Sequence, residues 1–273
     1  MFNKVAIVGT GLIGGSMALA IKKKRLANKV IGVSRHKKTL LFAKNNGVID
    51  IGSQDIKVIK DADLLILATP VSTVLNLAPR ISRIIKPDCI VTDVGSTKKQ
   101  IVSKLETLFS RYIGSHPLAG SEKRGINNAD ADIFKGSLCI LTPTKKTNKI
   151  ALGKIKNLWN ILGAKVFFLT PDTHDKILSF ISHLPHVVAF SLIGIVPKKY
   201  LRFASSGIKD MTRIAASDSE LWSDIFLSNP RNIANAIDLL QKTLSKIKST
   251  INKRDKKLLA LIIKEAKKRR EAL

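Results

Sequence analysis

The stretch Val5-Ala6-Ile7-Val8-Gly9-Thr10-Gly11-Leu12-Ile13-Gly14-Gly15-Ser16 decides how the rest of the chain is read. Four apolar residues make a short strand, three glycines in a G-x-G-x-x-G spacing turn the chain, and residues 16–24 continue with helical spacing. Each glycine has a mechanical task. Gly9 permits the tight turn, Gly11 lets backbone approach a pyrophosphate, and Gly14 allows the helix to lie close against the strand. Leu12 and Ile13 open the helix, where N–H groups and the helix dipole favour an anion. A purely structural glycine turn would share the spacing, but the strand–turn–helix context points to dinucleotide binding.

Outward from this motif, apolar runs at 30–33, 64–68, 90–93, 138–141 and 166–169 alternate with helical patterns such as 71–85. Strands alternating with helices imply right-handed crossovers and an α/β, doubly wound, mostly parallel, Rossmann-like sheet. Several strands are apolar without alternation, as expected when helices cover both faces. After Thr170-Pro171 only helical signals remain, over 173–195, 219–227, 231–251 and 256–272. The expected division is a dinucleotide-binding domain, 1–170, and an all-helical domain, 171–273. The helical part carries more apolar residues, including the 187–196 run, than a domain of about 100 residues leaves exposed, which predicts a homodimer.

Composition limits the partners. With 45% hydrophobic residues over 273 positions the chain can bury a sizeable core, which excludes a disordered protein. The excess of 47 Lys+Arg over 20 Asp+Glu raises the question of nucleic acid. A nucleic-acid partner is not expected, because the lysines are dispersed, only 5% of residues are aromatic, and lysine dominates over the bidentate arginine. The one dense region, 242–273, holds twelve Lys/Arg against three acids. Its Leu258, Leu259, Leu261, Ile262 and Ile263 predict a packed helix with a solvated basic face. The 187–196 run is too short to span a bilayer, and the N-terminal apolar run shows no cleavage signal, so neither membrane nor export is expected. Cys89 and Cys139 lie in apolar runs and read as buried thiols of a reducing, cytoplasmic setting.

The second strand ends in Gly32-Val33-Ser34-Arg35-His36-Lys37-Lys38. A site preferring NAD places Asp or Glu near here to bind the ribose 2′-hydroxyl. Ser34 and Arg35 instead offer hydrogen bonds to a 2′-phosphate, so NADP is expected to be preferred, with NAD also accepted. The alternative is that Arg35 stacks on the adenine or lies in solvent. Thr69 and Pro70, after the strand at 64–68, are expected to line the same cofactor groove. His36 and His174 read as solvated surface.

Two further segments stand near strand ends, where open α/β sheets bind ligands: Asp93-Val94-Gly95-Ser96-Thr97-Lys98 and Gly114-Ser115-His116-Pro117-Leu118-Ala119-Gly120-Ser121-Glu122. With His183-Leu184-Pro185-His186, Lys209-Asp210-Met211-Thr212-Arg213-Ile214-Ala215 and Ser217-Asp218-Ser219-Glu220-Leu221-Trp222, they make nearly the whole chain resemble prephenate and arogenate dehydrogenases. The resemblance implies a helical second domain that forms the dimer. It also implies oxidative decarboxylation of prephenate to 4-hydroxyphenylpyruvate with hydride transfer to NAD(P), or of arogenate directly to tyrosine. His116 would be the catalytic histidine, and a neutral imidazole suits removal of a hydroxyl proton near pH 7. Ser96 would hold that imidazole and help seat the nicotinamide. Arg213 would bind a substrate carboxylate, His186 and Trp222 would complete the pocket, and Glu122 would help gate it.

Blander readings stay open beside these. His116 could be a structural loop histidine, His186 and Trp222 interior residues, and Arg213 one half of an ion pair. His183 and His186 are three apart, but no third ligand stands nearby and Pro185 interrupts the helix, so no metal is expected. Two features depart from the commonest family pattern: Ser219, a helix-start residue that can cap, replaces a frequent proline, and Ile208 replaces a frequent aromatic. An appended mutase or regulatory ligand-binding domain, as some relatives carry, is not expected within 273 residues. A 3-hydroxyacid dehydrogenase using Lys209, or an NADP-binding protein with an RNA-binding basic tail, are the competing functions.

Overall fold

The computed structural model describes residues 2–120 and 125–273. Its contacts divide it into two compact units, Met1–Asn229 and Pro230–Leu273. The first unit opens with β1 (Phe2–Val8), α1 (Leu12–Lys23), β2 (Ala27–Val33), α2 (Lys37–Asn45), β3 (Ile51–Ser53), β4 (Leu64–Leu67), α3 (Val71–Ser82), β5 (Ile90–Asp93) and α4 (Lys99–Leu108). It continues through β6 (Tyr112–Pro117), β7 (Leu138–Leu141), α5 (Lys149–Ile161) and β8 (Lys165–Phe168).

These strands form one eight-stranded sheet in the order β3-β2-β1-β4-β5-β6-β7-β8. All neighbours are parallel except β6 and β7. Chain order runs outward in opposite directions from the β1–β4 pair, so a crevice opens beyond the carboxyl ends of those two strands. The side-chain period of two divides the core between the faces. Val5, Ile7, Leu64 and Ile66 pack with α1 and α5 residues such as Met17, Ile21 and Trp159. Ala6, Val8, Leu65 and Leu67 pack with α3 and α4 residues such as Val74, Ile81, Val102 and Leu105. Each fully buried Leu or Ile contributes about 1.5–3 kcal/mol, which makes β1 and β4 the energetic centre of the sheet.

Two strands were not legible as apolar runs. β3 is short, and β6 ends in Gly-Ser-His-Pro, residues that are poor strand formers. β6 is held by tertiary bonds: Ser115 Oγ lies 2.7 Å from Thr92 Oγ1 and accepts from Trp159 Nε1 at 3.2 Å. His116 therefore sits inside β6, opposite Ile140 of β7, and not in a loop beyond a strand end as expected.

The helical part of this unit comprises α6 (Pro171–Leu178), a π-helical turn (Ser179–His183), α7 (Leu184–Ile195), α8 (Ser206–Thr212) and α9 (Ser219–Ser228). Thr170 caps α6 by accepting from Thr173 N, and Pro171 supplies a preset φ at the first turn. Pro185 does not interrupt the helix as expected. It stands in the first turn of α7, directly after the widened π turn, and the helix runs on through it. Pro171–Ile195 is thereby one 25-residue helix, long and apolar enough by length and composition to cross a membrane, a length the shorter apolar run did not suggest. Its buried His174 and Asp175 are bonded to β6 and to the start of α4, so it serves as a wall of this unit. Asp218, not Ser219, caps α9 by accepting from Leu221 N at 2.7 Å.

The second unit is a hairpin of α10 (Pro230–Asn252) and α11 (Lys256–Glu271). Arg254 turns the chain at φ 53°, and Asp255 caps α11 through Leu258 N. The basic face of α11 is solvated as expected, but its apolar side is only partly covered: Leu258, Leu259 and Ile262 are half-buried, while Leu261 and Ile263 are 54% and 60% exposed.

Candidate active site

A cleft of about 970 Å³ in the first unit is lined by the glycine loop, the ends of β4, β5 and β6, and residues of the helical wall. That volume is at the upper end of the range for ligand pockets.

The cofactor side is shaped by what glycine lacks. A Cβ on Gly14 would stand 1.9 Å from Gly9 O, and one on Gly9, at φ 99°, would stand 2.6 Å from Ala68 O. These two glycines let α1 and β4 close on the turn. Gly11 is different: a Cβ there meets no atom within 4 Å and would fill the cleft itself. The N-terminus of α1 has no side-chain cap and no acid in its first turn, while Leu12 and Ile13 line the cleft. Thr10 Oγ1 and Thr69 Oγ1 are buried without a hydrogen-bond partner among the described residues. An uncapped helix end, an open glycine and the orphan Thr69 hydroxyl on the cleft fit the pyrophosphate of a dinucleotide, whereas Thr10 does not line the cleft.

Thr69 and Pro70 line the cleft as expected, and so does Ser96. Ser34 and Arg35 do not line it in this structure. Ser34 Oγ accepts from His36 N at 3.2 Å, and Arg35 is exposed with its carbonyl bonded to Gln54 Nε2 at 2.7 Å. His36, read as plain solvated surface, stands on the cleft rim because the turn after β2 points it there.

The loop that carries Ser96 is built on a buried ion pair. Lys98 Nζ meets Asp93 Oδ2, with neither side chain accessible. Asp93 also accepts from Tyr112 OH at 2.7 Å and from Gly95 N at 2.8 Å. A Cβ on Gly95 would lie 2.7 Å from Ile101 Cδ1 and 3.0 Å from Asp93 Oδ2, so a larger residue here would crowd the carboxylate.

His116 is 9% exposed and lines the cleft. Its Nδ1 lies 2.8 Å from His174 Nε2, and His174 Nδ1 lies 2.8 Å from Asp175 Oδ1. Lys98 N and Lys99 N donate to the two Asp175 oxygens at 2.7 and 2.9 Å. His174 is thus fully buried and bonded to the expected catalytic residue, which corrects its reading as solvated surface. The expectation that Ser96 holds the imidazole is also corrected: among the described residues no hydrogen bond joins the two, and His174 holds Nδ1. Burial pushes the His116 imidazole well below the usual histidine range, reinforced by nearby His174, Lys98 and His183. Burial likewise lowers His174, against the opposing bond to Asp175. Burial would raise Asp175, but its bonds from His174, Lys99 N and Lys98 N outweigh this and hold it below the usual carboxylate range.

The facing wall comes from α7 to α9. His186 stacks on Trp222, centroids 3.4 Å apart and planes 22° apart, and donates from Nδ1 to Ser182 O at 3.0 Å. Both line the cleft with Arg213, which lies in the turn Arg213–Ala216. Burial lowers His183 to about 4. Its Nε2 is buried without a hydrogen-bond partner among the described residues, and Asn229 Nδ2 approaches its Nδ1 at 3.4 Å. Glu122 lies outside the described residues. Lys209 is exposed and does not line the cleft, which removes the lysine that a 3-hydroxyacid dehydrogenase would use. Among the described residues no three His, Cys, Asp or Glu side chains are grouped to hold a metal.

Sequence reasoning missed His174, Asp175, His183 and the Asp93–Lys98 pair. One signal was present: His174 and Asp175 precede Leu178 and Ser179 by four residues, which puts polar groups on the buried face of a helix.

Two family models match, described as "Prephenate dehydrogenase, nucleotide-binding domain" over residues 17–168 and "Prephenate dehydrogenase, dimerization domain" over 170–265. A prephenate dehydrogenase of Bacillus subtilis (strain 168) is 36% identical, across all of this chain and 76% of the relative. A cyclohexadienyl dehydrogenase of Zymomonas mobilis is 33% identical across all of this chain and 97% of the relative. Among solved structures, prephenate dehydrogenase of A. aeolicus, in complex with hydroxyphenyl propionate and NAD+, superposes with TM-score 0.94 at 35% identity, covering 100% of this chain and 98% of that one. Arogenate dehydrogenase of Synechocystis superposes with TM-score 0.84 at 30% identity, covering 98% and 99%. A 3-hydroxybutyryl-CoA dehydrogenase of Ralstonia eutropha, at 17% identity and TM-score 0.52, shares the fold alone.

Proposed function

The chain belongs to the prephenate dehydrogenase family, NAD-dependent oxidoreductases, and we propose that it converts prephenate to 4-hydroxyphenylpyruvate in tyrosine biosynthesis. The observation that carries the residue assignment is His116, a buried neutral imidazole on the cleft between the glycine loop and the helical wall. The bound dinucleotide supplies the hydride acceptor for the carbinol carbon. Gly11, Leu12, Ile13, Thr69, Pro70 and Ser96 hold it, with Gly9 and Gly14 shaping the turn.

His116 draws on the ring hydroxyl proton as hydride leaves the same carbon. The bond from the ring to its carboxylate then breaks, CO2 departs, and the electron pair closes the aromatic ring. The proton ends on the phenolic oxygen, so none is released overall. Arg213 fixes a substrate carboxylate with its planar fork. His186 and Trp222 offer a flat wall to the ring, and Glu122 is assigned to gating. Arogenate differs only in bearing an amino group for the side-chain keto group, and it stands as the second substrate reading because a Synechocystis arogenate dehydrogenase superposes so closely.

We assign the domains as 1–170 and 171–273, the second forming a homodimer. The uncovered apolar residues of α11 and a family model described as a dimerization domain support this. NADP is proposed as the preferred cofactor, because no acid stands at Ser34-Arg35 to oppose a 2′-phosphate. The free, buried thiols of Cys89 and Cys139 fit a cytoplasmic setting. The test is His116→Asn, assayed by reduced-nicotinamide absorbance with prephenate. kcat is expected to fall by roughly 10²–10⁴ with cofactor and substrate binding intact, and a near-normal kcat removes His116 from the mechanism.

A further inference from the structure

The helical wall reaches through the cleft to the back of the His116 ring. Asp175, 1% exposed, is an acceptor-only carboxylate held by Lys98 N, Lys99 N and His174 Nδ1. His174 Nδ1 must therefore carry a proton. His174 is fully buried, and a neutral imidazole has only one N–H, so its Nε2 is a bare acceptor. The atom facing it at 2.8 Å is His116 Nδ1, which must then donate. The chain of bonds has one direction, set at its buried carboxylate end.

We propose that His174 and Asp175 are positioning residues that keep the His116 proton on Nδ1 and so leave Nε2 as its basic nitrogen. The inference rests on His116 being the base of the reaction. Asp175 acts at one remove, through a second imidazole. Its two backbone bonds tie the orientation of the relay to the start of α4, the helix that follows the Ser96 loop. The charged and titratable groups around the two rings are Lys98, Asp93, Asp175 and His183. Because Lys98 is already engaged by Asp93, Asp175 is the group left to orient the rings.

The proposal has a readout independent of turnover. In enzyme labelled with ¹⁵N-histidine, the five histidines are few enough to assign, with His116 identified by its loss in His116→Asn. His116 is expected to show a protonated Nδ1 and a bare Nε2. In Asp175→Asn a single oxygen must serve three donors; wherever Nδ2 replaces Oδ1 it donates to His174 Nδ1, the bonds reverse, and the His116 proton moves to Nε2. kcat is then expected to fall about 10²-fold or more while KM for prephenate and cofactor stays within about threefold. Should Asp175→Asn fail to fold through loss of a backbone acceptor, His174 variants carry the test. His174→Gln keeps an acceptor for His116 and a donor for Asp175, and is expected to retain kcat within about tenfold. His174→Leu removes both and is expected to lose about 10²-fold in kcat. A His116 proton on Nε2 in the unmodified enzyme overturns the proposal. So does His174→Leu with kcat within threefold of normal, or with kcat and KM lost together alongside a lowered Tm. The base assignment fails separately, by a near-normal kcat in His116→Asn, while the tautomer is still read directly.

Discussion

Replacing Lys98 by Met tests how the floor of the site is held. The Lys98 and Asp93 side chains are both wholly inaccessible, and their contact is the only ion pair of either residue among the described ones. In Lys98→Met the carboxylate keeps only two neutral donors, Tyr112 OH and Gly95 N. Breaking a buried pair by removing one partner costs about 3–5 kcal/mol, because an uncompensated charge stays in a poorly solvating interior. That is a large part of the 5–15 kcal/mol by which folded domains are ordinarily stable. For a chain of this size it lowers Tm by roughly 6–20 °C. Lys98→Met/Asp93→Asn removes both charges and should recover most of the loss, since the amide still accepts from Gly95 N. Thermal and urea unfolding at one fixed protein concentration measures both, the concentration being held because self-association stabilises the folded chain. A single variant within about 1 kcal/mol of the unmodified enzyme, or a double variant no better than the single, refutes the argument that the pair is held by mutual compensation.

Acid should destabilise the fold through its buried histidines. Burial holds His183 down to about 4, whereas the unfolded chain takes up that proton near 6.5, so stability is full above 6.5 and declines as pH falls toward 4. His183 alone accounts for about 3 kcal/mol of this decline, and unfolding free energies that are flat from pH 7 to 5 contradict it. For the cofactor, KM is expected to be roughly tenfold or more lower for NADP than for NAD, and Ser34→Asp with Arg35→Ala should reverse the order. A preference for NAD in the unmodified enzyme shows that these residues do not read the 2′-position. Sedimentation at micromolar concentration should give a dimer, and a 29.9 kDa species counts against the homodimer.

The residues by themselves determined the sheet class and the cofactor end of the cleft. Glycines at 9, 11 and 14 act through local geometry, namely a positive φ and missing Cβ atoms, and apolar runs such as 64–67 are buried in any two-sided sheet. Properties of that kind depend on neighbours close in sequence. β6 and the polar relay do not. Gly-Ser-His-Pro becomes a strand only because β5 and β7 flank it and because Thr92 and Trp159 satisfy Ser115. His174 looks like one more histidine in a polar helix start until the fold brings it, 58 residues along the chain, to His116. Lys98 and Asp93 likewise read as ordinary charges, and only burial converts them into a pair that neither can leave. A side chain's solvation is set by the sum of its spatial neighbours, and this was the quantity that tertiary structure alone decided.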